Sequence, residues 1–386
     1  MKITKVETFP INIRYRHPEL SALIARPGIT DIMVKVTADN GLVGWGESTR
    51  AGDAAGIESA VKAMSPMVLG RDPWDKEAIA NDVQVSGLWF LQPMTANFAF
   101  AGLDIALWDL CGKQCGQPLY RMFGGALREE VNYFYYMRWG TVDEIEAQAR
   151  DGVDRDYTVF YLKAGVDRNH ETAMLEALRH TIGPDRKIRV DANMAWSVAE
   201  AVDILDDWER RFGIDFAEAP VAIDPLENMR DLKARTRCAL CANEGLWRDH
   251  DVARIIRSRV ADYLCYSVYS VGSLRRFHTT AHAANLEGLA VCKHTHGEFG
   301  VAAAAGQHLM LAAPNACDGN QQTAQFMADD IVTSSIPIAD GPSWGRLDGP
   351  GLGVEVDEDK VLTYHEDYLR NGMFQPYGEA FSSNSR

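Results

Sequence analysis

Residues 187–220, KIRVDANMAWSVAEAVDILDDWERRFGIDFAEAP, hold two short apolar runs, KIRVDAN (187–193) and IDFAEAP (214–220), with an amphipathic helical stretch between them. Each run reads as a strand, and each ends on a carboxylate, Asp191 in the first and Glu218 in the second. Ser197 and Glu200 have the spacing of a capping box, which starts the helix just after the first strand. Two successive parallel strands need a crossover of about this length. The same rhythm extends in both directions. Strand-like runs recur at VNYFYYMRW (131–139), TVFYLK (158–163), CALCANE (238–244), ADYLCYS (261–267) and LAVCKHTH (289–296), and Thr141 with Glu144 makes a second capping box. The polar strand ends Lys163, Asp191, Glu218, Asn243, Ser267 and His294 follow one another at intervals of 28, 27, 25, 24 and 27 residues. A doubly wound open sheet would show a glycine-rich phosphate loop after its first strand, and none is present. The pattern predicts an α/β fold, a (β/α) TIM-type barrel whose site lies at the C-terminal ends of its strands. The helical FGVAAAAGQHLMLAA and a last short strand near ACDG (316–319) complete eight units.

The first part of the chain has another character. ITKVETFPINI alternates, and DIMVKVTADNGLVGWGEST reads as two strands about an Asp39-Asn40-Gly41 turn. Helical periodicity follows, most clearly in TANFAFAGLDIALWDLCGKQCG, which stops on Gly116. This is an α+β unit over 1–125, with the barrel over 126–320. A chain of 386 residues suits one large and one smaller domain.

Composition narrows the function. With 46% hydrophobic and 24% charged residues the chain suits a globular protein with a sizeable core. A net charge of −15 argues against nucleic acid and against an anionic membrane surface as partners. No stretch reads as a signal peptide or a membrane span. Seven cysteines form an odd set with only one C-x-x-C, Cys238 and Cys241, so a zinc finger is not indicated and a reducing cytoplasm fits.

If the strand ends share a rim, Lys163, Asp191, Glu218, Asn243, Glu244, Ser267, His294 and Glu298 line it. Oxygen ligands from three consecutive strands, Asp191, Glu218 and one of Asn243 and Glu244, suit a hard cation, most simply Mg²⁺. Lys163 stands one strand before them. Burial and a nearby dication would lower its pKa and make it a general base, whereas a plain salt bridge to Asp191 is the structural alternative. His294 would approach a bound substrate from the opposite side. These parts suit removal of a proton next to a carboxylate, where a dication steadies the charge that develops on two oxygens.

The chain resembles the enolase superfamily, of the mandelate racemase and muconate lactonizing enzyme type. The likeness rests on GLVGWGEST (41–49), GLDIALWDLCGKQCGQPLYRMFGG (102–125), YLKAG (161–165), RVDANMAW (189–196), FAEAP (216–220) and EFGVAAAAGQHLMLAAPN (298–315), in the right order over nearly the whole chain. It implies an N-terminal capping domain that closes over the barrel, joined by a returning C-terminal segment, 321–386. It also implies one Mg²⁺, a small carboxylate substrate and a homo-oligomer. By this likeness Asp191 and Glu218 are metal ligands, and the third falls in CANEGLW at Asn243, with Glu244 supporting or replacing it. Lys163 aligns with the usual base, and His294 with the racemase-type histidine. Glu298 matches an active-site glutamate, and Asn193 a polar residue that reaches substrate. Substrate specificity is expected in the loops 14–28 and 48–56, where Arg14, Arg16, His17, Arg26 and Arg50 are candidate contacts, or at an apolar wall of Trp89 and Phe90.

Three positions depart from the family. Tyr161 replaces a lysine that helps hold the substrate carboxylate, Asn243 replaces an acid, and Ser267 stands where the histidine's aspartate partner belongs. The acid that racemases draw from their last strands has no counterpart, and its place falls in CDGNQQ (317–322). A racemase needs bases on both faces of one carbon, and His294 without its aspartate serves poorly as the second. The reading expected is dehydration of a hydroxylated (sugar) acid, with Lys163 as base and His294 as acid. Cycloisomerisation or racemisation is the alternative, and a non-catalytic metal-binding relative is the alternative of a different class.

Overall fold

The computed structural model describes residues 1–21, 24–334 and 336–375. Strands β1 (Ile3–Leu20), β2 (Ala25–Ala38) and β3 (Val43–Thr49) form an antiparallel sheet in that order. The β2–β3 hairpin closes on the predicted turn, where Asn40 Oδ1 accepts from the Leu42 N–H and Gly41 adopts φ +84°. The helix Pro93–Cys115 crosses this sheet and ends on Gly116 in the left-handed conformation, as its sequence indicates. It is buried on nearly all sides because the sheet covers one face and the barrel the other. That explains the glycines of GWGEST: a side chain at Gly46 would run into the carbonyl of Gly102 on the helix.

Glu47, directly after those glycines, joins the two parts of the molecule. Its fully buried carboxylate accepts from Tyr269 Oη at 2.9 Å, from the Phe299 N–H at 2.8 Å and from the Ala302 N–H at 2.9 Å. The last two are free donors at the start of the helix Gly300–Ala312, where a carboxylate is favoured. Asn97 makes a second joint, donating to the carbonyls of Trp247 and Ser270 at 2.7 Å each.

The barrel begins with β4 (Glu130–Asn132), which pairs with a late strand, β12 (Ser343–Gly345). Seven parallel strands then follow in sequential order: β5 (Tyr135–Met137), β6 (Val159–Lys163), β7 (Lys187–Asp191), β8 (Ile214–Glu218), β9 (Leu240–Ala242), β10 (Tyr263–Tyr266) and β11 (Ala290–Lys293). Both predicted capping boxes form, at Thr141 and at Ser197. The run 131–139 is split, because the Tyr133 N–H turns to Pro342 and the Phe134 N–H to Asn320. The strand expected near ACDG is not a regular strand. Its place is taken by isolated bridges, Ala316 to Val291 and Asn320 to Tyr133, which close the ring between β11 and the start of β5. The reason lies in Gly319, at φ +65°, which interrupts the extended run, and in Asn320, whose side chain adds bonds to Lys293 N, Asn132 O and Cys317 O beside a few main-chain pairs.

Beyond the barrel the chain returns to the first sheet. Its helix Glu358–Asn371 lies on β1, with Asn12 donating to Asp367 and His365 Nδ1 lying 2.8 Å from the Pro10 carbonyl. Residues 335 and 376–386 of the segment 321–386, and residues 22 and 23 of the stretch 14–28 where specificity is expected, lie outside the described residues. Among the described residues no helix is long and apolar enough to cross a membrane.

Candidate active site

Strand register places the first acids. Lys163, Asp191 and Glu218 are Cα partners across β6, β7 and β8, so three chemically active side chains stand at one level. Asp191 is fully buried. Its Oδ2 accepts from Lys163 Nζ at 2.5 Å and from Tyr161 Oη at 2.6 Å, while Oδ1 accepts from the Asn193 N–H at 2.8 Å. Lys163 also donates to Asn193 Oδ1 at 3.1 Å. The depressed lysine expected from the sequence is not what this arrangement gives. Burial does pull the Lys163 pKa down, but Asp191, Glu218 and Glu19 outweigh it, and the net shift is upward. The salt bridge to Asp191 is present.

Glu218 takes both Gln321 Nε2 contacts, at 2.6 and 2.9 Å. Burial, then repulsion from Asp191, drives its pKa well above the usual carboxylate range, with Lys163 opposing and Glu244 adding to the rise. Glu244 is pushed up to about 7, by burial and then by Asp191, and its Oε2 is buried without a hydrogen-bond partner. Asn243 spends its amide N–H on the Cys265 carbonyl at 2.7 Å. Three mutually repelling carboxylates, one with an orphaned oxygen, suit a hard dication, because all the donors are oxygen and each would be relieved by positive charge. The residues therefore fit Mg²⁺.

The other side of the rim is arranged differently. His294 is 9% exposed and its Nδ1 has no partner among the described residues. Ser267 does not reach it. The serine caps the turn Val268–Val271, and its Oγ lies 3.4 Å from Nδ1 of His296 instead. The His294 and His296 rings meet edge-on, with centroids 4.6 Å apart. Both are held neutral. Burial and then His296, Lys163, Lys293 and Arg26 lower His294 well below its ordinary value, while burial and Arg26 bring His296 down to about 3. The acid role that the sequence suggests for His294 therefore finds no charged imidazole here. Glu298 is closed into a buried ion pair with Lys293 rather than left open to the rim.

The capping sheet supplies the roof. Glu19 and Arg26 pair at 2.5 Å, Tyr136 Oη donates to Glu19 at 2.7 Å, and Arg26 Nη1 donates to the His296 carbonyl at 2.6 Å. Of the five cations singled out in the sequence, Arg26 and Arg50 are buried, whereas Arg14, Arg16 and His17 face solvent. Phe90 is 53% exposed and walls nothing. Gln321 is the residue of CDGNQQ that enters the site. His296, Lys293 and Glu19 gave no signal in the sequence. His296 lies beyond the strand end, Lys293 one residue before the expected histidine, and Glu19 near the end of β1.

A small sheet and long helix clamped over a parallel barrel, with lysine and carboxylates gathered at the strand ends, define a capped (β/α)-barrel enzyme. The chain belongs to the mandelate racemase / muconate lactonizing enzyme family of the enolase superfamily: the N-terminal domain of that family matches residues 3–124, and the enolase C-terminal domain-like family matches residues 144–360. It is 26% identical over 379 residues to an N-succinyl-L-Arg/Lys racemase of Bacillus cereus, covering 96% of this chain and 100% of that one. It is 27% identical over 381 residues to a D-galactarolactone cycloisomerase of Agrobacterium fabrum, covering 94% and 99%. A solved enolase from Thermobispora bispora, complexed with magnesium and formate, superposes with a TM-score of 0.88 at 25% identity over 97% of this chain and 96% of that one.

Proposed function

We propose that this enzyme removes the α-proton of a hydroxylated carboxylic acid with Lys163 and expels a β-hydroxyl as water, a dehydratase reaction. The observation that carries this reading is that Lys163 Nζ stands at the strand-end rim, on the same level as Asp191 and Glu218 and 3.1 Å from Asn193 Oδ1, so its amine adjoins the carboxylates that fit the cation. Bound Mg²⁺ would supply the positive charge that an ene-diolate needs on its two oxygens. Asp191, Glu218 and Glu244 are the proposed ligands. Asn243, whose amide is tied to Cys265, supports Glu244 in this scheme rather than replacing it.

The protein's own groups then divide the work. Were Asp191 engaged by the cation, Lys163 would lose its ion pair, and its burial would then favour the neutral amine that serves as base. Asn193 and Tyr161 fix the ammonium and carboxylate positions around it. Once protonated, Lys163 faces the leaving hydroxyl on the same side of the substrate and donates the proton back, so the elimination is syn. His294 presents a neutral imidazole to the opposite face and orients rather than titrates. Polar walls of Asn193, His296, Glu19 and Arg26 suit a polyhydroxylated substrate better than an apolar one.

Cycloisomerisation is the second reading, favoured by the same single lysine and by the galactarolactone-specific relative. The test is a library of acid sugars and their lactones, incubated with enzyme and Mg²⁺ and assayed for 2-keto acids. Formation of a 2-keto acid supports the dehydratase. Lactone opening without a keto product selects the second reading, and no turnover at all removes both.

A further inference from the structure

Beneath the rim the barrel interior contains an unusual layer. Phe216, Cys241, Cys265 and Cys292 form a small buried cluster of their own, separate from the main core, with Cys317 packed beside it. The cysteines come from consecutive staves, β9, β10, β11 and the closing segment, with Cys241 Sγ directed to the Ala242 carbonyl at 3.8 Å and Cys292 Sγ to the Lys293 and Gly319 carbonyls at 3.6 and 3.7 Å. All are free thiols. One by one each could be a small core hydrophobe. Taken together they are more than that, because a carboxyl group shares the layer: Cys241 is the Cα partner of Glu218, and a Glu218 carboxyl oxygen, Cys241 Sγ and Cys265 Sγ all lie within 4.8 Å of one another. Gln321 Nε2 points at the same place, 2.6 Å from Glu218 and 3.3 Å from Cys265 Sγ.

We infer that Glu218, Cys241 and Cys265 form a soft-cation site inside the barrel, one that takes Zn²⁺ or Cd²⁺ and competes with the rim site for Glu218. Two sulfurs and one carboxylate oxygen leave a fourth position open, the ligand count of a three-donor zinc site. Bonds of about 2.3 Å to sulfur put ligand atoms about 3.8 Å apart around a tetrahedral ion, so rotation of the cysteine side chains closes the site once the Gln321 amide, now bonded to Glu218 and Cys265, swings aside. Among the described residues this is the only set of three histidine, cysteine or acidic donors that already converges so closely. At the rim, by contrast, Asp191 is turned to Lys163 and Tyr161. The donor types separate the ions: thiolates choose soft cations, whereas the all-oxygen rim chooses hard ones. Binding exchanges two S–H protons, released to solvent, for two metal–sulfur bonds, and no electron moves. Because Glu218 cannot serve both sites, an ion in the thiol layer strips the rim of one ligand.

The experiment is a titration of metal-free full-length protein with Cd²⁺, followed by the ultraviolet thiolate-to-cadmium charge-transfer band. It reads binding alone, so it stands or falls separately from any turnover assay. One ion per chain is expected, with affinity at least tenfold weaker in Cys265→Ser and unchanged in Cys115→Ser, whose thiol is exposed elsewhere on the molecule. Excess Mg²⁺ should shift the titration to higher Cd²⁺. A band that survives undiminished in Cys265→Ser overturns the proposal, and a titration indifferent to Mg²⁺ overturns the sharing of Glu218. If Cys265→Ser does not fold, X-ray absorption of the cadmium-loaded natural sequence decides: two sulfur neighbours support the site, and a shell of oxygen alone refutes it.

Discussion

The rim strands β6 to β8, together with the loop after β9, hold a lysine among three carboxylates, of which Asp191 raises the pKa of Glu218 and Glu244, whereas the side of β10 and β11 has its one acid already closed into a pair. On the first side Glu218 and Glu244 lack enough positive charge, and one Glu244 oxygen has no partner. On the second, Lys293 answers Glu298 and Ser267 is occupied with its own turn and with His296. The difference teaches where chemistry enters. A half left electrostatically incomplete gains from an incoming cation and carboxylate, and a half complete in itself gains only shape.

The contrast can be broken from the incomplete side first. Lys163→Ala should cost about 10²- to 10⁴-fold in turnover, the usual worth of a positioned general base, with the fold unchanged by circular dichroism. Next, Glu244→Gln should weaken Mg²⁺ binding by at least 10- to 100-fold, measured by calorimetry, and more than Asn243→Ala does. A larger effect at Asn243 would return the ligand role to the amide. From the complete side, Ser267→Ala should lose about 1 kcal/mol of stability as a capping residue while leaving turnover within roughly threefold.

The smallest effect lies away from both halves, where the capping helix meets the barrel. Asp104 accepts from the Leu274 N–H at 2.7 Å, and burial pushes its pKa up to about 7. A carboxyl raised in the folded state stabilises while protonated, so its contribution is full below about pH 4 and is lost as pH climbs through about 7. Asp104→Asn should flatten that part of the decline in Tm, since the amide oxygen keeps the bond without the charge. An unaltered Tm–pH curve would show that Asp104 is already ionised at low cost.

The fold was legible because barrel arithmetic is local: strand, capping box, helix and strand repeat with a spacing that few other architectures need. Lys163, Asp191 and Glu218 were legible for the same reason, since the register that aligns them is set by strand length. The eighth stave was not, because Gly319 breaks it into isolated bridges that the Asn320 side chain supplements, which leaves no alternation to read. The state of Lys163 was hidden too. Nothing in YLK shows that Tyr161 and Lys163 would share one oxygen of Asp191. His294 kept its place but not its expected charge, since burial lowers it first, and of the cations that add to this Lys163 and Arg26 come from distant stretches of chain. The thiol layer was visible only as cysteines in strands. Their convergence with Glu218 depends on stagger between neighbouring staves, which a sequence does not display.

The central claim is that Lys163 exchanges the α-proton of a bound hydroxy acid, and proton magnetic resonance in D₂O tests it most directly. The natural protein with Mg²⁺ should replace the α-hydrogen of a recognised acid, or of its product, with deuterium, and Lys163→Ala should not. Deuterium uptake that persists in Lys163→Ala, or that continues unchanged after chelation of the metal, would contradict the account.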